Sequence, residues 1–162
     1  MLGSSLSSAL SGPVLITVTL ALTAILVAIS VIDLRQYRIP DVLSLPLIGA
    51  GVAVAYLQPN VAIAPHLIGA GAGFLVLAVI GEVYFRRNGT EGLGLGDAKL
   101  FSAAGAWLDW TSLPLVLLLA AGGGLLYVAV SGSLKKRAGI AFGPWLALAF
   151  WLVWMHGAIP VI

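Results

Sequence analysis

Charged residues are absent from the first 32 positions of this chain, and the first of them is Asp33. Residues 13–32 are uncharged and mainly apolar, interrupted only by hydroxyl side chains that can bond back to their own helix. A helix needs about 20 such residues to cross the hydrocarbon core of a bilayer. This stretch therefore predicts a transmembrane helix.

The composition extends that conclusion to the whole chain. Hydrophobic residues make up 60% of the 162 positions and charged residues 9%, against about 25% charged in an ordinary soluble domain. A soluble domain is therefore excluded. The eight basic residues are too few and too scattered for a nucleic-acid-binding surface. Because the chain has no cysteine, disulfides, a thiolate zinc site and a cysteine nucleophile are excluded as well.

Polar segments divide the chain into six apolar runs. We predict an all-α, polytopic membrane protein with a single membrane-embedded domain over residues 1–162. The predicted spans are about 13–32, 42–57, 61–84, 98–108, 111–131 and 140–162. We expect Asp41 to cap the second span and Pro46 to bend or break it. We expect Gly143-Pro144 to break the first turns of the sixth span, and glycines 122–124 to admit a neighbouring helix closely.

The basic residues predict how the chain is oriented. If the first span runs from outside to inside, all eight Lys and Arg residues fall on the cytosolic side, as the positive-inside rule requires. They are Arg35, Arg38, Arg86, Arg87, Lys99, Lys135, Lys136 and Arg137. This predicts a multi-pass protein of the inner (cytoplasmic) membrane with both termini outside. His66 and His156 then fall on the outer side, at the interface, and residues 135–137 are expected to contact anionic lipid.

The same topology brings two carboxyl groups to one membrane face: Asp33 at the end of the first span and Asp97 at the start of the fourth. Ionisable residues at a membrane boundary are costly unless hydrated or partnered, which makes them functional candidates. Two carboxyls held close together share one proton and so provide an acid and a base. Such a pair can activate water to hydrolyse a peptide bond with no cofactor. In the simpler alternatives, Asp33 pairs with Arg35 or Arg38, and Asp97 only caps its helix.

Glycines precede the second aspartate. Gly94 and Gly96 can adopt positive φ and have no Cβ, so the loop can bend sharply and let an extended substrate approach its backbone closely. Such a substrate would add main-chain hydrogen bonds to the loop. Lys99 is a further candidate for substrate contact.

Two other acidic residues lie on the same predicted face. We expect Glu82 to snorkel or to pair with Arg86, with a place in the active site as the alternative. A metal site formed by Asp33, Asp97 and Glu91 is conceivable because hard cations accept carboxylates, but we predict no metal.

Three segments resemble one known family. Residues 94–99 read Gly-Leu-Gly-Asp-Ala-Lys, which resembles the Gly-x-Gly-Asp-x-Lys signature of the type IV prepilin peptidases. Asp33, followed by Arg38-Ile39-Pro40-Asp41, is similar to that family's first catalytic aspartate segment. Ile140-Ala141-Phe142-Gly143-Pro144 is similar to the Gly-Pro break that opens its last span, although Ala141 stands where the family often has proline.

The resemblance implies a GxGD-type intramembrane aspartic peptidase with Asp33 and Asp97 as its catalytic pair and with substrate contacts at Gly143 and Pro144. It implies cleavage of the short basic leader of prepilin-like proteins, pilins or pseudopilins, at the cytosolic membrane face, commonly just after a glycine. Larger family members carry an additional cytosolic domain, often with paired cysteines, that methylates the new N-terminus. Only a short loop follows the first span here, so we expect no methyltransferase activity.

A second function uses the same two aspartates: a small proton- or cation-coupled membrane transporter or channel subunit. A transport site belongs near the bilayer midplane, whereas both aspartates are predicted at the cytosolic edge. A third possibility, a purely structural assembly subunit, leaves the glycine loop unexplained. The sequence therefore favours the peptidase.

Overall fold

A computed structural model describes residues 6, 10–89, 93–131 and 141–158. Within these ranges the chain forms six helices and no strand, which confirms the all-α prediction. The helices are α1 Gly12–Gln36, α2 Asp41–Leu57, α3 Ile63–Asn88, α4 Leu95–Leu108, α5 Leu113–Ser131 and α6 Gly143–Ala158. Their number and order match the six predicted spans.

Three of these helices are long and apolar enough to cross a membrane: α1, α3 and α5. The helix α2 is apolar but shorter, at 17 residues. The protein is therefore a multi-pass membrane protein.

The shortest helix, α4, lies at the centre of the fold. It packs against α2, α3, α5 and α6, and ten of its 14 residues are buried. Because neighbouring helices surround α4, its length is not set by the thickness of the hydrocarbon core.

Small residues let α3 and α4 pack with their backbones in contact. A Cβ at Gly69 would meet the Gly105 carbonyl oxygen, and a Cβ at Gly73 would lie 2.7 Å from the carbonyl oxygen of Phe101. Membrane helices associate through such small residues because lipid provides no hydrophobic driving force between them. The hydroxyl of Ser102 adds a hydrogen bond of 2.8 Å to the carbonyl of Ala70.

Aromatic side chains attach α6 to its neighbours. Trp151 and Trp154 donate their indole N–H groups to the hydroxyls of Thr23 and Thr19 on α1, at 2.9 and 3.0 Å. The ring of Trp145 lies against Gly123, where a Cβ would be 2.6 Å from it. The predicted close approach at glycines 122–124 is confirmed at Gly123.

The structure shows the outcome of three predictions about prolines and caps. Pro46 lies inside α2 without breaking it, because Leu47 is buried and its carbonyl accepts the indole N–H of Trp107 at 2.8 Å, so packing on α4 holds this part of the helix. The N-cap of α2 is Pro40 rather than Asp41. The sixth helix begins only at Gly143, and residues 141 and 142 are not helical, in agreement with a break at Gly143-Pro144; Pro144 itself fits the first turn, which needs no N–H from proline.

Candidate active site

Asp33 lies in the last turn of α1 and is 5% exposed. Its Oδ2 accepts a hydrogen bond of 3.0 Å from the backbone N–H of Gly143, the first residue of α6. That N–H is available because the first turn of a helix has no internal acceptors for its donors. A Cβ at residue 143 would lie 2.6 Å from Asp33 Oδ2, so only glycine leaves room for the carboxylate.

The chain turns sharply after Asp33. Tyr37 adopts a left-handed conformation, with φ 52°, and donates its N–H to the Asp33 carbonyl at 2.8 Å, which ends α1. Within residues 10–89, 93–131 and 141–158, no ion pair involves Asp33, so the predicted alternative of a pair with Arg35 or Arg38 is wrong for this structure.

Asp97 occupies the first turn of α4, before the predicted span 98–108 and outside the three long apolar helices. Its Oδ2 accepts the backbone N–H of Gly94 at 3.2 Å, so it does cap the helix, as the simpler interpretation expected. Burial raises the pKa of Asp97 from 3.8 to about 6; the Gly94 hydrogen bond opposes that rise, and the charge of Asp33 adds to it. Asp97 therefore combines a capping contact with a carboxyl that retains its proton unusually well.

The side chain of Ile39 lies against Gly96 and Gly143, at the starts of α4 and α6. A Cβ at Gly96 would lie 2.9 Å from Ile39 Cβ, and a Cβ at Gly143 would lie 3.1 Å from Ile39 Cδ1. Both glycines therefore let the backbone of a helix approach this one side chain. The end of α1 and the starts of α4 and α6 converge here, and they bring Asp33 and Asp97 to the same end of the helix bundle.

Neither glycine before Asp97 uses the positive φ that is open to it. Gly94 has φ −80°, and Gly96 is helical because α4 begins at Leu95 rather than at residue 98. In the described part of the chain, the one glycine with positive φ is Gly89, which ends α3. The absence of a Cβ at Gly96 serves close packing on Ile39 instead of a left-handed turn.

Lys99 forms an ion pair with Asp41 at the start of α2. Its Nζ lies 2.6 Å from Oδ1 of Asp41, and the lysine side chain is 23% exposed. This ion pair has no local signature in the sequence, because the two residues lie 58 positions apart, although their predicted location on one face is compatible with it.

Other predicted positions have mixed outcomes. The expected pair of Glu82 with Arg86 is confirmed, with Oε1 and Nε 2.6 Å apart. His66 is buried under α4, where the Ala106 carbonyl accepts its Nδ1–H at 3.0 Å, and its location at the membrane interface stays a prediction. His156 is exposed. Positions 91, 135–137 and 140 lie outside the described residues.

The geometry of this end of the bundle suits acid–base chemistry. Each carboxyl accepts a backbone N–H at the start of a helix, Asp33 is buried, and burial raises the pKa of Asp97 to about 6. Among the described residues, no cluster of three or more carboxylate or imidazole groups offers a metal site.

Comparison with known proteins gives a family match. Residues 20–129 match the type IV leader peptidase family. The chain is similar to the prepilin leader peptidase/N-methyltransferase of Escherichia coli (strain K12), with 43% identity over 122 residues, covering 74% of this chain and 54% of the relative. It is also similar to the proteins of that name from Aeromonas salmonicida (strain A449), 40% identical with 85% and 48% covered, and Burkholderia pseudomallei (strain K96243), 40% identical with 78% and 42% covered.

The chain spans about half the length of the curated relatives that it matches. No solved structure matches it.

Proposed function

Since the chain belongs to the type IV leader peptidase family, we propose that it is a membrane aspartic endopeptidase that removes the leader peptide from type IV prepilin-like precursors. The observation that carries the proposal is the convergence of the helix ends that carry the two aspartates. Gly96, next to Asp97, and Gly143, which donates its N–H to Asp33, both pack on Ile39. Two carboxyls in this arrangement supply the acid and the base of peptide hydrolysis.

In the proposed reaction, Asp97 begins as the protonated acid, because burial raises its pKa to about 6, and Asp33 begins as the carboxylate. Asp33 removes a proton from a water molecule while the water oxygen forms a bond to the carbonyl carbon of the peptide. Asp97 donates its proton to the carbonyl oxygen, giving a neutral gem-diol. The C–N bond then breaks as the nitrogen receives the proton held by Asp33 and a diol hydroxyl returns its proton to Asp97, which restores both aspartates.

The remaining proposed site residues orient the two carboxyls and take no direct part in the chemistry. Gly96 and Gly143 allow the helix starts to reach Ile39 and Asp33, and Pro144 fixes the first turn of α6. Gly94 holds Asp97 through its N–H, and Lys99 fixes the start of α4 to α2 through Asp41. We infer that these contacts set the orientation of the two carboxyls, which catalysis requires to within a fraction of an ångström.

The substrate and the membrane face follow from the same proposal. The substrate is a prepilin-like precursor, pilin or pseudopilin, whose own hydrophobic helix carries it into the lipid. The cut lies at the cytosolic face, since the basic residues Arg35, Arg38, Arg86, Arg87 and Lys99 flank the helix ends that meet near the two aspartates. Both termini of the chain then lie outside.

The experiment that tests the proposal incubates the purified chain in detergent with a panel of prepilin-like precursors and measures the masses of the fragments. We expect a single cut at the leader boundary, which Asp97→Asn abolishes. Asparagine keeps an oxygen for the Gly94 N–H, so the helix cap survives while the acid is lost. Asp109→Asn is the matched control, because Asp109 lies at the other end of α4.

Two results would contradict the proposal. One is cleavage by Asp97→Asn at the rate of the wild type. The other is the absence of any cut by folded wild-type protein, combined with proton or cation flux across sealed vesicles, which would favour the transporter.

A further inference from the structure

The connector between α1 and α2 buries one side chain against both helix starts of the proposed site. This residue is Ile39, which is 8% exposed. Its two contacts use different ends of the side chain: a Cβ at Gly96 would lie 2.9 Å from Ile39 Cβ, and a Cβ at Gly143 would lie 3.1 Å from Ile39 Cδ1. Gly96 precedes Asp97, and Gly143 donates its N–H to Asp33. Ile39 therefore touches both segments that hold the carboxyls.

The backbone of Ile39 is fixed on both sides. Two residues earlier, Tyr37 ends α1 in a left-handed conformation and donates its N–H to the Asp33 carbonyl at 2.8 Å. The next residue, Pro40, is the N-cap of α2, and its carbonyl accepts the N–H of Ser44 at 3.2 Å. Proline also restricts the residue before it to extended conformations. Ile39 is therefore held at a set position relative to Asp33 and to α2.

The side chain of Ile39 is stiff as well as buried. Because isoleucine is branched at Cβ, few χ1 rotamers are open to it. The start of α4 rests on the base of this residue, since a Cβ at Gly96 would also lie 3.4 Å from its N and 3.5 Å from its Cα. The start of α6 approaches the other end, at Cδ1. The length of the side chain, from base to tip, therefore separates the two helix starts.

An ion pair binds the start of α4 to the same connector. Asp41 follows Ile39 by two positions, and its Oδ1 lies 2.6 Å from Nζ of Lys99. Lys99 follows Asp97 by two positions, and Gly96 precedes it directly. The start of α4 is thus attached to the connector on both sides of Asp97. The position of α6 relative to this unit is left to the tip of Ile39 and to the hydrogen bond that Asp33 accepts.

We propose that Ile39 is a positioning residue, and that the length of its side chain sets the separation of the Asp33 and Asp97 carboxyls. Its effect on catalysis rests on the proposed peptidase function, whereas the separation can be measured without any cleavage. A shorter side chain lets the starts of α4 and α6 move together, because packed interiors leave few voids. The two carboxyls then come closer than the reaction requires.

The first test is cleavage by Ile39→Val, which removes Cδ1 and keeps the branch at Cβ. A misplacement of about 1 Å can cost about 10²-fold in rate, so we expect kcat to fall about tenfold while KM changes less than about twofold. Ile48→Val is the matched control, because it removes the same methyl group from a partly buried residue of α2. The helix content and Tm of both variants are measured. Equal kcat values in the two variants would overturn the proposal.

The second test measures the carboxyls themselves. The charge of Asp33 raises the pKa of Asp97, so the fall in that pKa on Asp33→Asn reports the repulsion between the two groups. Carboxyl ¹³C NMR of the full chain gives the pKa of Asp97 in the wild type, in Ile39→Val, in Asp33→Asn and in the double variant. We expect Asp33→Asn to lower the pKa of Asp97 further when Ile39→Val is present, because closer carboxyls repel more strongly.

This titration separates the inference from the proposed function. A larger effect of Asp33→Asn in the presence of Ile39→Val supports the positioning role even if the wild type cuts no precursor. An equal effect in both backgrounds means that Ile39→Val changes only the hydration of Asp97, and that result would overturn the role whether or not cleavage occurs.

Discussion

The backbone N–H of Gly143 donates a hydrogen bond of 3.0 Å to Oδ2 of Asp33, a residue 110 positions earlier in the chain. This contact joins the last turn of α1 to the first turn of α6. It also directs the positive end of a helix dipole at a buried carboxyl, which stabilises the ionised form. The start of the last helix therefore holds the Asp33 carboxyl in position.

Gly143→Ala should reduce cleavage strongly. A Cβ at this position would lie 2.6 Å from Asp33 Oδ2, so the carboxylate must move or lose the hydrogen bond. A misplacement of about 1 Å can cost about 10²-fold in rate, and we expect a loss of that order in kcat. Gly122→Ala is the matched control, because a Cβ there meets nothing within 4 Å. Equal activity of the two variants would show that the contact is unimportant.

Gly96→Ala should also impair cleavage, by separating α4 from the connector that carries Ile39. The added Cβ would lie 2.9 Å from Ile39 Cβ, a contact that requires the backbone to shift. Because Asp97 is the next residue, we expect a fall in kcat of about tenfold or more, measured by fragment yield over time. Gly49→Ala on α2, where a Cβ meets nothing within 4 Å, should keep wild-type activity.

The helical architecture is readable from the sequence because long apolar stretches require a backbone that satisfies its own hydrogen bonds in lipid. The six segments, the Glu82–Arg86 pair and the close approach at Gly123 all follow from local rules of spacing. Helix ends are less predictable. Pro46 stays inside a helix because its neighbour Leu47 packs on α4, and such tertiary contacts have no local signature.

The sequence predicts where Asp33 and Asp97 lie, but it does not predict their contacts. The charge pattern brings Asp33 and Asp97 to one face of the protein. However, the role of Gly96 depends on Ile39, and that of Gly143 on Asp33, both through contacts between distant segments. The partner of Lys99, Asp41, is likewise set by how α2 and α4 cross. A single sequence cannot specify such pairs.

The ion pair between Lys99 and Asp41 predicts that exchanging the two charges restores what the loss of either charge removes. Loss of either charge, in Lys99→Ala or Asp41→Asn, should lower thermal stability slightly, since exposed pairs contribute about 0.2–1 kcal/mol. Exchange of the charges, Asp41→Lys with Lys99→Asp, should restore stability and cleavage together. If Lys99→Ala lowers cleavage and the exchanged variant does not recover it, Lys99 contacts the substrate directly instead of positioning α4.

The raised pKa of Asp97 predicts a pH dependence of stability. Because burial raises that pKa to about 6 from 3.8, ionisation of Asp97 disfavours the folded state. Its contribution to stability is most favourable below about pH 4 and declines as the pH rises through about 6. Asn at this position does not titrate. The difference in Tm, Asp97→Asn minus wild type, should therefore increase between about pH 4 and pH 7 and stay level above pH 7. A difference that does not change with pH would contradict the raised pKa of Asp97.

The central proposal is that Asp33 and Asp97 act as one catalytic unit. The decisive measurement is the cleavage rate of a prepilin-like precursor by Asp33→Asn, by Asp97→Asn and by the double variant, each shown to be folded. Groups that act as a unit are not additive, so each single variant should lose as much activity as the double variant. Appreciable cleavage by either single variant, or losses that multiply in the double variant, would contradict the account.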